Sequence, residues 1–535
     1  MLQRSINTYA RQDDQNGNRN LVIGPVMKLR RENNIGARAK TWARPTARLR
    51  SVIAALLLGL GIWANVEAAS QPNSLRAYAE KIQRRQAYGV YLKNHKFGWA
   101  VDELKLGHHE GKEVATCTFE MEGSFLSAGE KSSFEEKSVI HYSLEGEGQI
   151  VAANERTVED GAETIRTVVG DGNGLVITTR TKAGEINRRV PVPKDTLERV
   201  RQLDQWLTST PTKGAQFVGY STFWDQEEVD GEEVHIYRGR KIILWGGVKT
   251  PVHQVSVNMD GMVMDCEMMS DGTPIKGLMG GLFELRAEKE SIAKMPGAEP
   301  IDMLEASSIR VDKDLGAPDR VEALTLRIVG LNDFRIPASH RQRVRSRQGS
   351  AVILELMRDH KAPQSTPLPA SKREEYLRAT PTLQSDQESI RNKAQEIIGG
   401  EKDTLEKARL LQEWVFRNVR QTMAANTTSA LDVLSNRAGD CTEITMLFVA
   451  LARSLGIPAR EVGGVMYANE GTPIFGWHAW AEIHDGHQWV TVDPTWNQVY
   501  VDATHINLAE DSKDWAWVNL LGKMKIKVLK VTKRK

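Results

Sequence analysis

The stretch 440–493 constrains the fold of this 535-residue chain more than any other. Asp440 supplies a carboxylate for the free N–H groups of a first helical turn. Ile444, Leu447, Phe448, Leu451 and Leu455 then recur at helical spacing, which predicts a helix from Cys441 with one buried face. Gly456-Ile457-Pro458 stops it. Segments 460–467, 477–483 and 487–492 read as strands, the last two joined by the hairpin signal His484-Asp485-Gly486. The expected fold class is therefore α+β, with a helix packed on an antiparallel sheet.

Three residues in that stretch carry chemistry. Cys441 opens the helix, His478 lies early on one strand and Asp493 ends another. A thiol attacks a carbonyl as thiolate; an imidazole takes its proton, and a carboxylate fixes the imidazole's tautomer and direction. The positive end of the helix dipole is expected to lower the Cys441 pKa. Cys441 and His478, each taken singly, read as ordinary core packing. Their joint order and spacing point to nucleophile, base and orienter.

The runs GDCTEITMLFVALARSLGIPAREVGG, GWHAWAEI and WVTVDPTWN, with the lead-in segments 408–419 and 430–441, closely resemble the transglutaminase-like superfamily of papain-type cysteine enzymes. The resemblance spans residues 371–531. It implies Cys441 as nucleophile, His478 as general base and acid, and Asp493 as orienter. It implies thioester chemistry on protein or peptide amides, with transamidation or hydrolysis left open, and needs no metal or organic cofactor. A catalytically inactive domain in an envelope binding or scaffold protein is the alternative, since the superfamily includes members that have lost activity. The Cys441 backbone N–H is one expected oxyanion donor. Trp414 and Gln421 are candidates for a second, and Trp477, Trp480 and Trp496 are expected to wall the cleft. Glu443 receives no chemical role. No acidic loop of calcium-binding pattern appears.

The chain exceeds what one core accommodates. Residues 1–50 hold 11 Lys or Arg against three acids, Val52 to Ala64 is uncharged and apolar, and Val66-Glu67-Ala68 offers small residues for cleavage after Ala68. Residues 1–68 thus read as a secretory signal with a long basic leader, or an uncleaved membrane anchor, with Met27 as an alternative start. The expected location is periplasmic or extracellular, with membrane contact only through that segment. Beyond residue 68 there are 60 Lys and Arg against 65 Asp and Glu, a balance of −5, so nucleic acid is not an expected partner.

Residues 75–300 read as a β-rich domain. Alternating segments such as 114–122, 139–144 and 255–259 are separated by turn signals such as Asp260-Gly261. One helical interruption, 193–207, places Leu197, Val200, Leu203 and Leu207 on one face. A curved antiparallel sheet or open barrel around that helix satisfies the order. Cys117 and Cys266 are candidates for a disulfide or for packing as free thiols. Met262, Met264, Met268 and Met269 around Cys266 read as core rather than a soft-metal site. Residues 301–361 read as a separate small β unit, 362–370 as a Pro-rich linker, and 371–535 as the transglutaminase-like domain. The strand expected at 524–531 carries lysines that protect a sheet edge.

Overall fold

A computed structural model describes residues 74–534 apart from 128, 172, 270–271, 363, 423–428, 470–471 and 510–515. The leader expected at 1–68 lies outside the described residues.

The β-rich domain is one 14-stranded antiparallel sheet. Strand Arg84–Leu92 sits inside it. The strands that follow meander one way to the edge strand Gly184–Val190. The later strands return from the other edge, Gln216–Thr222, to Phe283–Glu288, which pairs with Arg84–Leu92. Tight turns make this possible. At Asp160-Gly161 and Asp260-Gly261 both residues have positive φ (48° and 85° in each), the backbone that suits a two-residue hairpin.

The helix Leu197–Thr208 is capped by the Thr196 side chain and joins the sheet's two halves. Leu197 and Val200 pack with the first half; Leu203 and Leu207 pack with the second. Cys117 and Cys266 fall in these two different clusters, and both are free thiols, so the disulfide alternative is not realised. Met262, Met264 and Met268 are buried in the second cluster.

In the C-terminal region the helices Glu388–Ile398, Thr404–Asn418, Ala430–Asn436 and Cys441–Ser454 pack together and against a sheet. That sheet runs, in order, Gln498–Val499, Trp489–Asp493, Pro473–His484, Ala459–Asn469 and Ile506–Asn507. The Cys441 helix departs from the expectation of a single buried face. Every residue from Ile444 to Ala452 is buried, because helices surround it on the side away from the sheet. Each large apolar side chain there contributes about 1.5–3 kcal/mol by leaving water.

Residues 301–361 share sheets with the C-terminal region. Strand Ile309–Arg310 pairs with Pro473–His484, and Val321–Val329 pairs with the C-terminal strand Lys525–Lys533. The lysines of that last strand lie along a sheet edge. The segment expected as a linker is also tied down: the Thr366 N–H donates to the His487 carbonyl at 2.7 Å. Edges pair wherever a free edge is presented, irrespective of distance along the chain.

Candidate active site

Asp440 and Glu443 form a reciprocal cap on the Cys441 helix. The Asp440 Oδ1 accepts from the Thr442 N–H at 2.7 Å, and the Glu443 carboxylate accepts from the Asp440 N–H at 2.6 Å. This gives Glu443 a structural role that the sequence reading had left blank. The helix start then meets the strand Pro473–His484 where its neighbour Trp489–Asp493, paired only over Ala481–His484, leaves the edge open. Ala479 faces that opening. Its carbonyl accepts from Thr445 Oγ1 at 3.2 Å, and its backbone hydrogen-bonds the Cys441 thiol. Cys441 is thus held beside the residue that follows His478.

His478 and Asp493 come together through the sheet. His478 Nε2 lies 2.8 Å from Asp493 Oδ2. A second histidine reaches the same oxygen: His505 Nε2 at 3.1 Å. The far side of His505 meets Asp502, with Nδ1 to Oδ1 at 3.4 Å. An ionised carboxylate only accepts, so both Nε2 atoms carry the hydrogens. Asp493 Oδ1 accepts from the Thr495 and Trp496 N–H groups at 2.8 and 3.1 Å. Nitrogen and oxygen atoms of His478, Asp493 and His505 lie within 4.8 Å of one another, a spacing that also suits a cation. Two N–H groups ending on one oxygen account for it as a hydrogen-bonded chain.

The electrostatics follow from burial and pairing. Burial alone would raise the Asp493 carboxyl, but His478 and His505 hold it well below the usual carboxylate range. Burial pushes His505 down, and Asp502 and Asp493 outweigh it, so its pKa is raised. The thiol behaves against expectation. Burial lifts the Cys441 pKa well above the ordinary thiol value and Asp440 adds to this; the Ala479 hydrogen bond works in the opposite direction. Loss of water and the nearby capping carboxylate both favour the neutral thiol. Cys441 and Asp493 are 0% exposed and His478 is 1% exposed, so the site is closed to solvent.

The other expected cleft residues divide. Gln421 is brought in. Its short strand runs parallel to Ala438–Gly439 with Gln421 opposite Gly439, and its Nε2 donates to the Thr495 carbonyl at 2.8 Å. Trp414 is not: its ring takes the Arg437 guanidinium at 4.4 Å and Lys393 at 5.7 Å. Trp480 stacks on His478 with centroids 6.0 Å apart and meets His505 edge-on at 5.3 Å. Trp477 faces the other way, because neighbouring strand residues alternate. Its Nε1 donates to the Ser307 carbonyl at 3.0 Å and its ring packs on Trp517. Trp496 contributes its backbone to Asp493, while its ring packs near Met466 and Ala468.

His505, Asp502 and Arg341 were not foreseen. Arg341 is buried, and its guanidinium donates to the carbonyls of Asp502 and His505 at 3.3 and 2.6 Å. Gln342 exchanges two 2.8 Å bonds with the Asn507 backbone. The 301–361 segment therefore holds the loop that carries His505. The Asp502–His505 spacing was visible in the sequence; its convergence on Asp493 was not. Gly464 shows how close the fit is: a Cβ there would stand 2.0 Å from the Ile506 carbonyl oxygen and 2.8 Å from Trp480.

Residues 391–494 match the family model of the Transglutaminase-like superfamily, and the chain carries a C-terminal domain of that kind. An uncharacterized protein of Haemophilus influenzae is 35% identical over 97 residues, covering 17% of this chain and 26% of that protein. The chain thus spans about a quarter of the curated relative's length. Among solved structures, a candidate cysteine protease from Cytophaga hutchinsonii aligns with a TM-score of 0.27 and 17% identity, over 40% of this chain and 86% of that one. A candidate protease from Parabacteroides distasonis aligns with a TM-score of 0.16 and 11% identity, over 70% and 68%. At these scores the structural likenesses carry no argument.

Proposed function

We propose that this protein is an exported cysteine enzyme acting on protein or peptide amides through Cys441, His478 and Asp493. The observation that carries this is the His478 Nε2 to Asp493 Oδ2 bond beside a helix-opening cysteine. With Nε2 turned to Asp493, Nδ1 is the nitrogen that exchanges protons. The Cys441 thiol proton passes to Nδ1 as sulfur bonds to the amide carbon. The C–N bond then breaks, the same proton leaves with the amine, and a thioester remains. A lysine amine or water resolves the thioester through the same imidazole. Asp440 caps the N–H groups of Thr442 and Glu443, which leaves the Cys441 N–H for the oxyanion. Gln421 is the proposed second donor. Asp493 orients His478, and His505 positions Asp493 from behind.

The closed site favours a resting state in which the thiol stays protonated. Substrate entry then requires a movement that exposes Cys441. The same burial supports a second reading, a transglutaminase-like domain that retains the three residues without turnover and serves as a scaffold. Mass spectrometry of a glutamine-containing casein digest, incubated with the full chain and a primary amine, separates the possibilities. Amine adducts mean transamidation, deamidated glutamine or new termini mean hydrolysis, and all three should vanish in Cys441→Ala. A wild-type digest with none of these masses leaves the scaffold reading. Export rests on the order of charges and apolar residues in 1–68, and a mature chain beginning at Ala69 is its expected signature.

A further inference from the structure

The hairpin made by Asp230–Trp245 and Val248–Met259 is longer than its neighbours. Strand Gln216–Thr222 pairs with it only as far as Ile236, and strand Met262–Met268 only from His253 onward. Among the described residues, the rungs from Lys241↔Val252 to Trp245↔Val248 therefore form a two-stranded ribbon without a partner on either side. An unsupported ribbon is marginal by itself. Its tip turns at Gly246-Gly247, where both φ values are positive and a Cβ would meet nothing within 4 Å.

The tip is apolar. Ile242, Leu244 and Val248 are 71%, 72% and 65% exposed, and Trp245 is 36% exposed. Alternation puts Ile242 and Leu244 on one face of the ribbon and Trp245 and Val248 on the other. A flat protein surface, or a second copy docking by its own sheet, would cover one face only. A lipid bilayer surrounds a tip on all sides. The charges agree: from Arg238 to Met259 the chain has Arg238, Arg240, Lys241 and Lys249 and no acidic residue. Lys241 is offset by Glu267 at 2.6 Å, Arg240 bonds Thr210 Oγ1 at 2.8 Å, and Arg238 bonds Ser256 Oγ at 2.9 Å. Lys249, opposite Leu244, is exposed and has a stem long enough to lay its ammonium among headgroups. Three rungs at about 3.4 Å per residue span roughly the depth to which interfacial segments bury.

We propose that this ribbon tip inserts into the interfacial layer of an anionic lipid membrane, with Trp245 and Val248 on the leading rung and the basic residues against lipid phosphates. The proposal is independent of the chemistry at Cys441. Cys117 and Cys266 are buried, and with Cys441→Ala in the background an added surface thiol takes a label selectively. The full chain carrying Leu244→Cys with an environment-sensitive dye is mixed with phosphatidylglycerol–phosphatidylethanolamine vesicles. Emission at 244 is expected to rise about twofold or more and shift to the blue, while the same dye at the exposed position of Lys402→Cys stays unchanged. Because the tip itself is read, an apolar leader touching lipid elsewhere does not enter the signal. Arg240→Gln, Lys241→Gln and Lys249→Gln together should weaken the response about a hundredfold in lipid concentration. No change at 244, an equal change at 402, or an undiminished response in the triple variant overturns the proposal. So does a dye shift that grows with protein concentration without vesicles, which would identify a second copy as the occupant.

Discussion

Two buried carboxylates, one in each half of the molecule, respond to burial in opposite directions. Asp195, in the β-rich domain, is raised to about 7. Burial drives it up, and its neighbours are hydroxyls and other acids: Tyr142 OH at 2.9 Å, Thr222 Oγ1 at 3.3 Å, and the charges of Glu233 and Asp230. Asp493 is buried still more completely but receives two ring N–H groups, and it is held ionised. Desolvation is common to both; a built-in cation partner is not. In the large sheet Asp195 thus serves as a packing and hydrogen-bonding group. The transglutaminase-like sheet keeps one charged, which is what orienting an imidazole requires.

The strongest way to break this comparison is Asp493→Ala. Two buried histidines would lose their shared acceptor, and the loss of stability is expected at about 3–5 kcal/mol, read as a fall in the denaturant midpoint. An unchanged midpoint would mean the chain of ring N–H groups contributes nothing. Gly464→Ala tests the same site through shape alone. The added Cβ must displace the Ile506 backbone, at a cost of about 2–3 kcal/mol. The displacement should also loosen His505, visible as faster amide exchange at 506–507.

Asp195→Asn should do the reverse of Asp493→Ala. The folded Asp195 pKa lies above its unfolded value, so the folded state holds a proton that the unfolded state has released. Stability therefore falls as pH rises from about 4 to about 7, and the loss remains above that window. The Asn variant should flatten that part of the curve and gain about 1–2 kcal/mol at pH 8. A variant less stable than wild type at pH 8 would show that Asp195 is needed in its charged form. The smallest effect belongs to His505. Its raised pKa contributes stability that is full below its unfolded value of about 6.5 and is lost as pH rises through the folded value. His505→Gln should remove that slope, changing stability at pH 9 less than at pH 5. Equal changes at both pH values would sink the assignment of charge to His505.

Much of the C-terminal fold was legible because its signals are local. Asp440 lies within reach of the turn it caps, the apolar spacing after Cys441 spans a few turns, and the strands alternate over adjacent residues. The order Cys441, His478, Asp493 was readable for the same reason, since neighbouring antiparallel strands keep such positions close. What remained hidden depended on groups far apart in the chain. Trp477 turns from His478 because Ser307 and Trp517 receive it. His505 reaches Asp493 because Arg341, some 160 residues away, grips its loop. Strand Val321–Val329, within the unit expected at 301–361, pairs with the last strand, at 525–533.

The sequence by itself determined the capped helix, the antiparallel sheet beside it, and the thiol, imidazole and carboxylate those elements carry. Tertiary structure alone decided that the thiol is buried, that a second histidine backs the carboxylate, and that Arg341 holds the loop of that histidine. Caps and alternation act over a few residues, whereas desolvation and buried pairing are set by whatever distant chain closes over a group.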